Sequence, residues 1–113
     1  MPSLAALTIY LFGVTAFIVG IMHLLSPSNA VASLSLPESC TPAANGNSLA
    51  AIAMGIYYML AASQENRLFF LLTVPMRMLT SIVFWNQGGS WKMAGVWEGG
   101  GAALTAFALY LGF

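Results

Sequence analysis

Apolar residues in this chain come in four long runs rather than in short alternating stretches. The first extends from Leu4 to Leu25 without an ionised side chain, and His23 stands near its end. A bilayer core of about 30 Å takes roughly 20 apolar residues of helix, so this run predicts a membrane-crossing helix over residues 4–25. Residues 26–46 differ in kind. Pro27, Pro37 and Pro42 stand there among Ser, Asn and small residues, and punctuation of that density predicts a long polar loop. A second helix is expected over 47–63; it is short for a span and must tilt little or be extended by its polar ends. The cluster Ser63-Gln64-Glu65-Asn66-Arg67 predicts a tight turn, followed by a third helix over 67–86. The turn Asn86-Gln87-Gly88-Gly89-Ser90 leads to a fourth over 92–112. Backbone groups in hydrocarbon must be satisfied within the segment, which selects helices, and the ten-residue alternation of a membrane barrel is absent. The expected fold is all-α: one domain over residues 1–113, a four-helix transmembrane bundle.

Composition sharpens this picture. The chain is 59% hydrophobic and 5% charged, with three Lys/Arg against three acidic residues. An ordinary soluble domain is about one-quarter charged. A net charge of zero offers no basic patch for phosphates, so nucleic acid is not an expected partner. The single cysteine, Cys40, excludes an internal disulfide framework and multi-cysteine metal motifs. The first run lacks a basic leader and is too long for the apolar core of a signal peptide, so it is read as a retained helix. With four passes, both chain ends share a face with the turn at Arg67, and the long loop shares the other with the turn before Lys92. One cation on each side leaves the charge rule for orientation nearly silent. The termini are assigned to the cytosol and the protein to the endoplasmic reticulum as an integral, multi-pass membrane protein.

Small residues suggest how the spans pack. Gly95 and Gly99 form a GxxxG pair extended by Ala103, Gly13 and Gly20 lie two turns apart, and Ala51 and Gly55 repeat the small-xxx-small spacing. Such positions let backbones approach where no hydrophobic drive exists between helices. Packing inside the bundle is the favoured use, with contact between copies the other, and so small a bundle is expected to oligomerise. Trp85, Trp91 and Trp97 gather around the last connection, as in an interfacial aromatic belt.

The ionisable residues converge in depth. At 1.5 Å per residue, His23 lies about 4 Å, Glu98 about 9 Å and Arg77 about 13 Å below the face carrying the long loop. Groups of this kind inside a membrane usually face the bundle interior or a cavity. Thr73, Thr80 and Ser81 lie three or four residues from Arg77, one stripe against an apolar back, and Glu98 shares a face with Ala102 and Thr105. Pro75 frees the carbonyl of Leu71 beside this stripe. Two readings stand open. Arg77 and Glu98 form a structural interhelical ion pair, or they are catalytic. In the second, burial favours the neutral carboxyl and a nearby cation the ionised one, so that Glu98 can act as a general acid towards an epoxide, carbonyl or alkene. Arg77 would then orient it or stabilise developing negative charge, and His23 would serve as base or proton relay. Candidate substrate-binding residues are Tyr57, Tyr58, Trp97, Thr80, Ser81, Asn47 and Phe84, with aromatic faces suited to a cationic intermediate. No metal site is expected, because one histidine and one carboxylate are too few ligands. No nucleotide or nucleophile motif appears, so no cofactor is expected, and acid/base isomerisation or ring closure remains.

The stretch Phe12-Gly13-Val14 to Gly20-Ile21-Met22-His23-Leu24-Leu25-Ser26-Pro27, with the Ser/Ala-rich segment to Leu36-Pro37, resembles the opening of small DoxX-like four-pass membrane proteins. Ala53-Met54-Gly55-Ile56-Tyr57, Arg77, and Glu98 followed by Gly99-Gly100-Gly101 fit the later part of that pattern. The resemblance covers nearly the whole length and is nearest to short fungal members found beside natural-product genes. It implies a tailoring enzyme, an isomerase or cyclase, acting on a lipophilic terpenoid or polyketide intermediate. The alternative is a non-catalytic scaffold or accessory subunit that binds a partner enzyme or membrane lipid through its small-residue faces. A minimal transporter is the weaker third reading, since no repeat or broken-helix pair is visible.

Overall fold

The computed structural model describes residues 2–112. Its described residues are all helical in architecture, with no strand: α1 (Leu4–Leu25), a short α2 (Pro27–Ser33), a 3₁₀ turn (Glu38–Cys40), α3 (Thr41–Ser63), α4 (Arg67–Gln87) and α5 (Trp91–Leu111). Local chemistry sets the ends. The Ser3 hydroxyl accepts the Ala6 amide at the start of α1, and the Asn66 side chain accepts the Phe69 amide at the start of α4, satisfying donors that a helix leaves unpaired. α4 ends at Gly88 and Gly89, both at positive φ (72° and 56°), a backbone conformation that glycine adopts without steric cost.

The segment expected to be a long polar loop, 26–46, is corrected. It contains α2 and the 3₁₀ turn, and α3 begins at Thr41, six positions before the expected start at 47. The reason lies in the prolines read as punctuation. Pro27 and Pro42 each sit in the first turn of a helix, where no amide donor is needed and φ is already set for the helix. α3 is thereby lengthened to 23 residues.

α1 packs chiefly on α3, and α4 on α5, while α1 and α5 join the two pairs. Glycines govern the first contact. A side-chain carbon placed on Gly55 would lie 2.6 Å from the Gly13 carbonyl oxygen, and one on Gly20 2.8 Å from the Ser48 carbonyl oxygen. In the second pair, a carbon on Gly99 would meet the Ser81 hydroxyl at 2.7 Å. Glycines from all three small-residue pairs are therefore used between helices of this chain. Ala5, Ala6, Ile9, Phe12, Tyr58, Ala62, Phe70 and Ala108 form a core at the end where α1 and α4 begin and α3 and α5 finish. Here the Ser3 amide also donates to the Glu65 carboxylate (3.1 Å). Hydrogen bonds from Ser3, through its hydroxyl and its amide, hold that carboxyl below the usual range. At the opposite end the Ser35 and Ser90 hydroxyls meet at 2.8 Å, tying the α2 segment to the α4–α5 turn.

Side chains are distributed in reverse of a water-soluble protein. Alanine, glycine, serine and threonine dominate the interior, whereas Leu11, Met22, Leu25, Leu68, Leu72, Leu79, Ile82, Leu104 and Phe107 lie on the exterior. α1 and α4 are long and apolar enough to cross a membrane. α3 and α5 are of similar length but are diluted by Asn45, Asn47 and Ser48 in one and by Lys92, Glu98 and four glycines in the other.

Candidate functional site

The half of the bundle away from the core holds an open-sided cavity of about 660 Å³. Its walls come from the second half of α1, the first half of α3, the second half of α4 and the first half of α5. The α1–α3 and α4–α5 pairs close on each other at the core end, and this half is where they leave space between them. Size and lining match a small-molecule site: mostly apolar walls with few polar groups.

Arg77 marks the inner end. It is 2% exposed, and its helix and its neighbours supply oxygen acceptors in place of water. Nη2 donates to the Thr105 hydroxyl at 2.8 Å and to the Thr73 hydroxyl at 3.2 Å, and Nε donates to the Thr73 carbonyl at 3.4 Å. Thr105 and Thr8 share a further hydrogen bond of 2.8 Å, which extends the network to α1. The guanidinium lies 4.8 Å from the centre of the Phe12 ring and 5.8 Å from that of Tyr58, attracted by the negative faces of the rings. Phe12 in turn stacks on Trp97 with centroids 4.3 Å apart. Nη1 alone among the guanidinium nitrogens has no acceptor.

Glu98 is 7% exposed and borders the same cavity one wall away. It makes no hydrogen bond to any described residue, and among those residues no cationic nitrogen comes within 4.0 Å of a carboxylate oxygen. Of the two readings open for Arg77 and Glu98, the structural ion pair is not formed among the described residues: the two share a cavity and are not joined. The threonines satisfy Arg77 from a different direction, so its guanidinium is held over Phe12 rather than against the carboxyl.

The remaining candidates separate cleanly. His23, Asn47, Tyr58, Thr80, Phe84 and Trp97 border the cavity. Tyr58 is buried, and its ring meets Phe69 edge-on. Phe84 leans on Trp91 with centroids 5.0 Å apart near the mouth. Two expected site residues do not border it. Tyr57 is 62% exposed on the outer face of α3, since one residue rotates a helix by about 100° and Tyr58 takes the inward position. The Ser81 hydroxyl donates to the Gly95 carbonyl at 2.6 Å, so it joins α4 to α5 instead of facing a ligand. Trp85, expected in the aromatic group, is also outward, with the Lys92 ammonium 4.8 Å from its ring centre.

Thr8, Phe12, Thr73 and Thr105 are the residues at the site that were not singled out as ligand-facing or catalytic. Thr73 and Thr105 were legible as neighbours on the Arg77 and Glu98 faces. Phe12 and Thr8 lie on α1, where nothing in the spacing links them to α4. Among the described residues no three His, Cys, Asp or Glu side chains gather as a metal-binding group would require. Searches of family models, curated proteins and solved structures find no match to this chain.

Proposed function

We propose that this chain is a four-pass membrane protein whose cavity binds a lipophilic small molecule and isomerises or cyclises it by acid/base chemistry. The observation that carries the reading is an apolar cavity of about 660 Å³ with a buried, unpaired carboxyl group in its wall. The membrane assignment rests on the apolar exterior of all four long helices, the small-residue interior, and the separation of polar connections to two opposite ends. In lipid, helices associate through small residues and hydrogen bonds rather than through large apolar side chains, which is the pattern seen here. The resemblance to DoxX-like proteins points the same way.

In this reading Glu98 donates its proton to the oxygen of an epoxide or carbonyl, or to an alkene carbon. An oxygen lone pair forms the new O–H bond and the carbon–oxygen pair moves onto oxygen, or the alkene π pair forms the new C–H bond, and the resulting cation rearranges or closes a ring. A proton lost from carbon returns to the Glu98 carboxylate, either directly or by way of His23 at the outer part of the cavity. Product and substrate are isomers, so the cycle consumes no co-reactant. Trp97 and Tyr58, which border the cavity, offer aromatic rings to the cationic stage. The scaffold alternative is less favoured by the packing, because Gly95 and Gly99 are occupied by Ser81 of the same chain.

Photolabelling tests the site. The full chain in phosphatidylcholine vesicles is irradiated with a diazirine-bearing farnesyl probe, and labelled peptides are mapped by mass spectrometry. Label on the peptides holding Met54, Met76 and Trp97, lowered by filling the cavity with Ala51→Trp, is the expected result. Label confined to outward positions such as Leu11 and Leu79, and indifferent to Ala51→Trp, would contradict the assignment.

A further inference from the structure

The charge balance of the cavity carries a statement about its ligand. Glu38, Glu65 and Glu98 are the acids of the chain. Glu38 opens the 3₁₀ turn and Glu65 accepts the Ser3 amide at the core end, so Glu98 alone among them borders the cavity, and it does not pair with Arg77. Arg77 borders the cavity too, yet every oxygen it contacts is neutral. A guanidinium keeps its charge in proteins. A buried cation without a counter-ion is costly, and it is ordinarily paired.

We infer that the ligand supplies this counter-ion: it is a lipophilic carboxylic acid whose carboxylate docks on Arg77 and whose hydrocarbon body extends along the cavity towards Asn47 and His23. Nη1, which has no acceptor, receives one carboxylate oxygen. The two bonds to Thr73, at 3.2 and 3.4 Å, are the long ones and yield to the second. Nη1 is itself buried, and a side-chain carbon on Gly101 would lie 3.2 Å from it and 3.0 Å from the Phe12 ring, so the guanidinium turns towards the cavity as the carboxylate docks. The planar fork of arginine matches the two oxygens of a carboxylate. A phosphate dianion fits less well, because among the described residues no second Lys or Arg borders the cavity: Arg67 begins α4 at the other end, and Lys92 sits over Trp85. The inference rests on the cavity being a ligand site, and adds the chemical class of the ligand to it. It also gives Arg77 the task of placing the acid so that a double bond or epoxide further along the chain comes to Glu98.

Binding of radiolabelled palmitic acid and farnesoic acid to the full chain in phosphatidylcholine nanodiscs is compared with that of their methyl esters. The acids are expected to bind about tenfold or more tightly than the esters, the effect of one charge-assisted hydrogen bond. Arg77→Gln is expected to erase this preference, bringing the affinity of each acid to that of its ester. The comparison of acid with ester on the unmodified protein decides the matter even if the variant does not fold. Equal affinity for acid and ester, with both displacing the farnesyl photoprobe, would overturn the carboxylate assignment and leave the cavity as a ligand site. Failure of all four compounds to displace that probe would overturn both.

Discussion

Glu98→Gln is expected to lower turnover of a lipophilic epoxide or carbonyl substrate by about 100- to 10,000-fold, the range that a positioned general acid contributes. The amount of folded protein in the membrane should not change. The amide is nearly isosteric with the carboxyl and cannot donate a proton in the same way, and Glu98 has no hydrogen bond or ion pair to lose among the described residues. That second half of the expectation separates two roles. If Glu98 were the structural counter-charge of Arg77, its neutralisation would leave a buried cation alone, at a cost of about 3–5 kcal/mol, and protein would be lost together with activity. Membranes from cells expressing each form, normalised by immunoblot and supplied with an epoxy-isoprenoid, give the comparison by mass spectrometry of products. Unchanged turnover in Glu98→Gln would remove the carboxyl from the chemistry.

Gly55→Leu is expected to destabilise the bundle by about 3 kcal/mol, the upper part of the usual range for overpacking. The atoms that a new side chain meets are the Gly13 carbonyl oxygen at 2.6 Å and the Phe17 amide nitrogen and Cβ, both at 2.8 Å. Two of these belong to the backbone and cannot swing aside, so α1 and α3 would have to part. The separation would also widen the wall that holds Phe12 beneath Arg77. Gly100→Leu is the control, because no atom lies within 4 Å of a side-chain carbon there, and the change should be close to neutral or slightly favourable. Thermal unfolding in mild detergent, followed by circular dichroism, distinguishes the two. Equal midpoints for both variants would mean that α1 and α3 are not in the contact described.

The helices were legible because long apolar runs interrupted by two polar clusters leave few other structures. The segment between α1 and α3 was not. A proline that caps the first turn of a helix and one that interrupts a loop look alike in sequence, and only the packing of α2 on α1 and α3 separates them. The level of the site was also legible: counting residues from the run ends placed His23, Arg77 and Glu98 in one half of the bundle, and all three border one cavity. Depth, however, says nothing of rotation about the helix axis. That missing angle is why Tyr57 and Ser81 were grouped with Tyr58 and Thr80 although each turns away, and why an Arg77–Glu98 ion pair stood open as one of two readings. The partner of Arg77 on α5 is Thr105, two turns beyond the carboxyl, and its aromatic platform is Phe12 on α1. Both choices follow from how closely Gly13, Gly55 and Gly99 let the helices approach, which no single helix records.

The two-ended separation of the connections is what the proposed four-pass arrangement rests on, and it can be measured with the one native cysteine. Cys40 lies at the end carrying α2 and the α4–α5 turn, whereas Ser3 and Ser63 lie at the other. In sealed, oriented vesicles, a membrane-impermeant maleimide should reach Cys40 from one side. In a Cys40→Ser background it should reach Ser3→Cys and Ser63→Cys from the opposite side only, and Ser90→Cys from the same side as Cys40. Labelling of any two consecutive positions in the order 3, 40, 63, 90 from the same side would contradict the four-pass arrangement, and with it the membrane setting of the Arg77–Glu98 cavity.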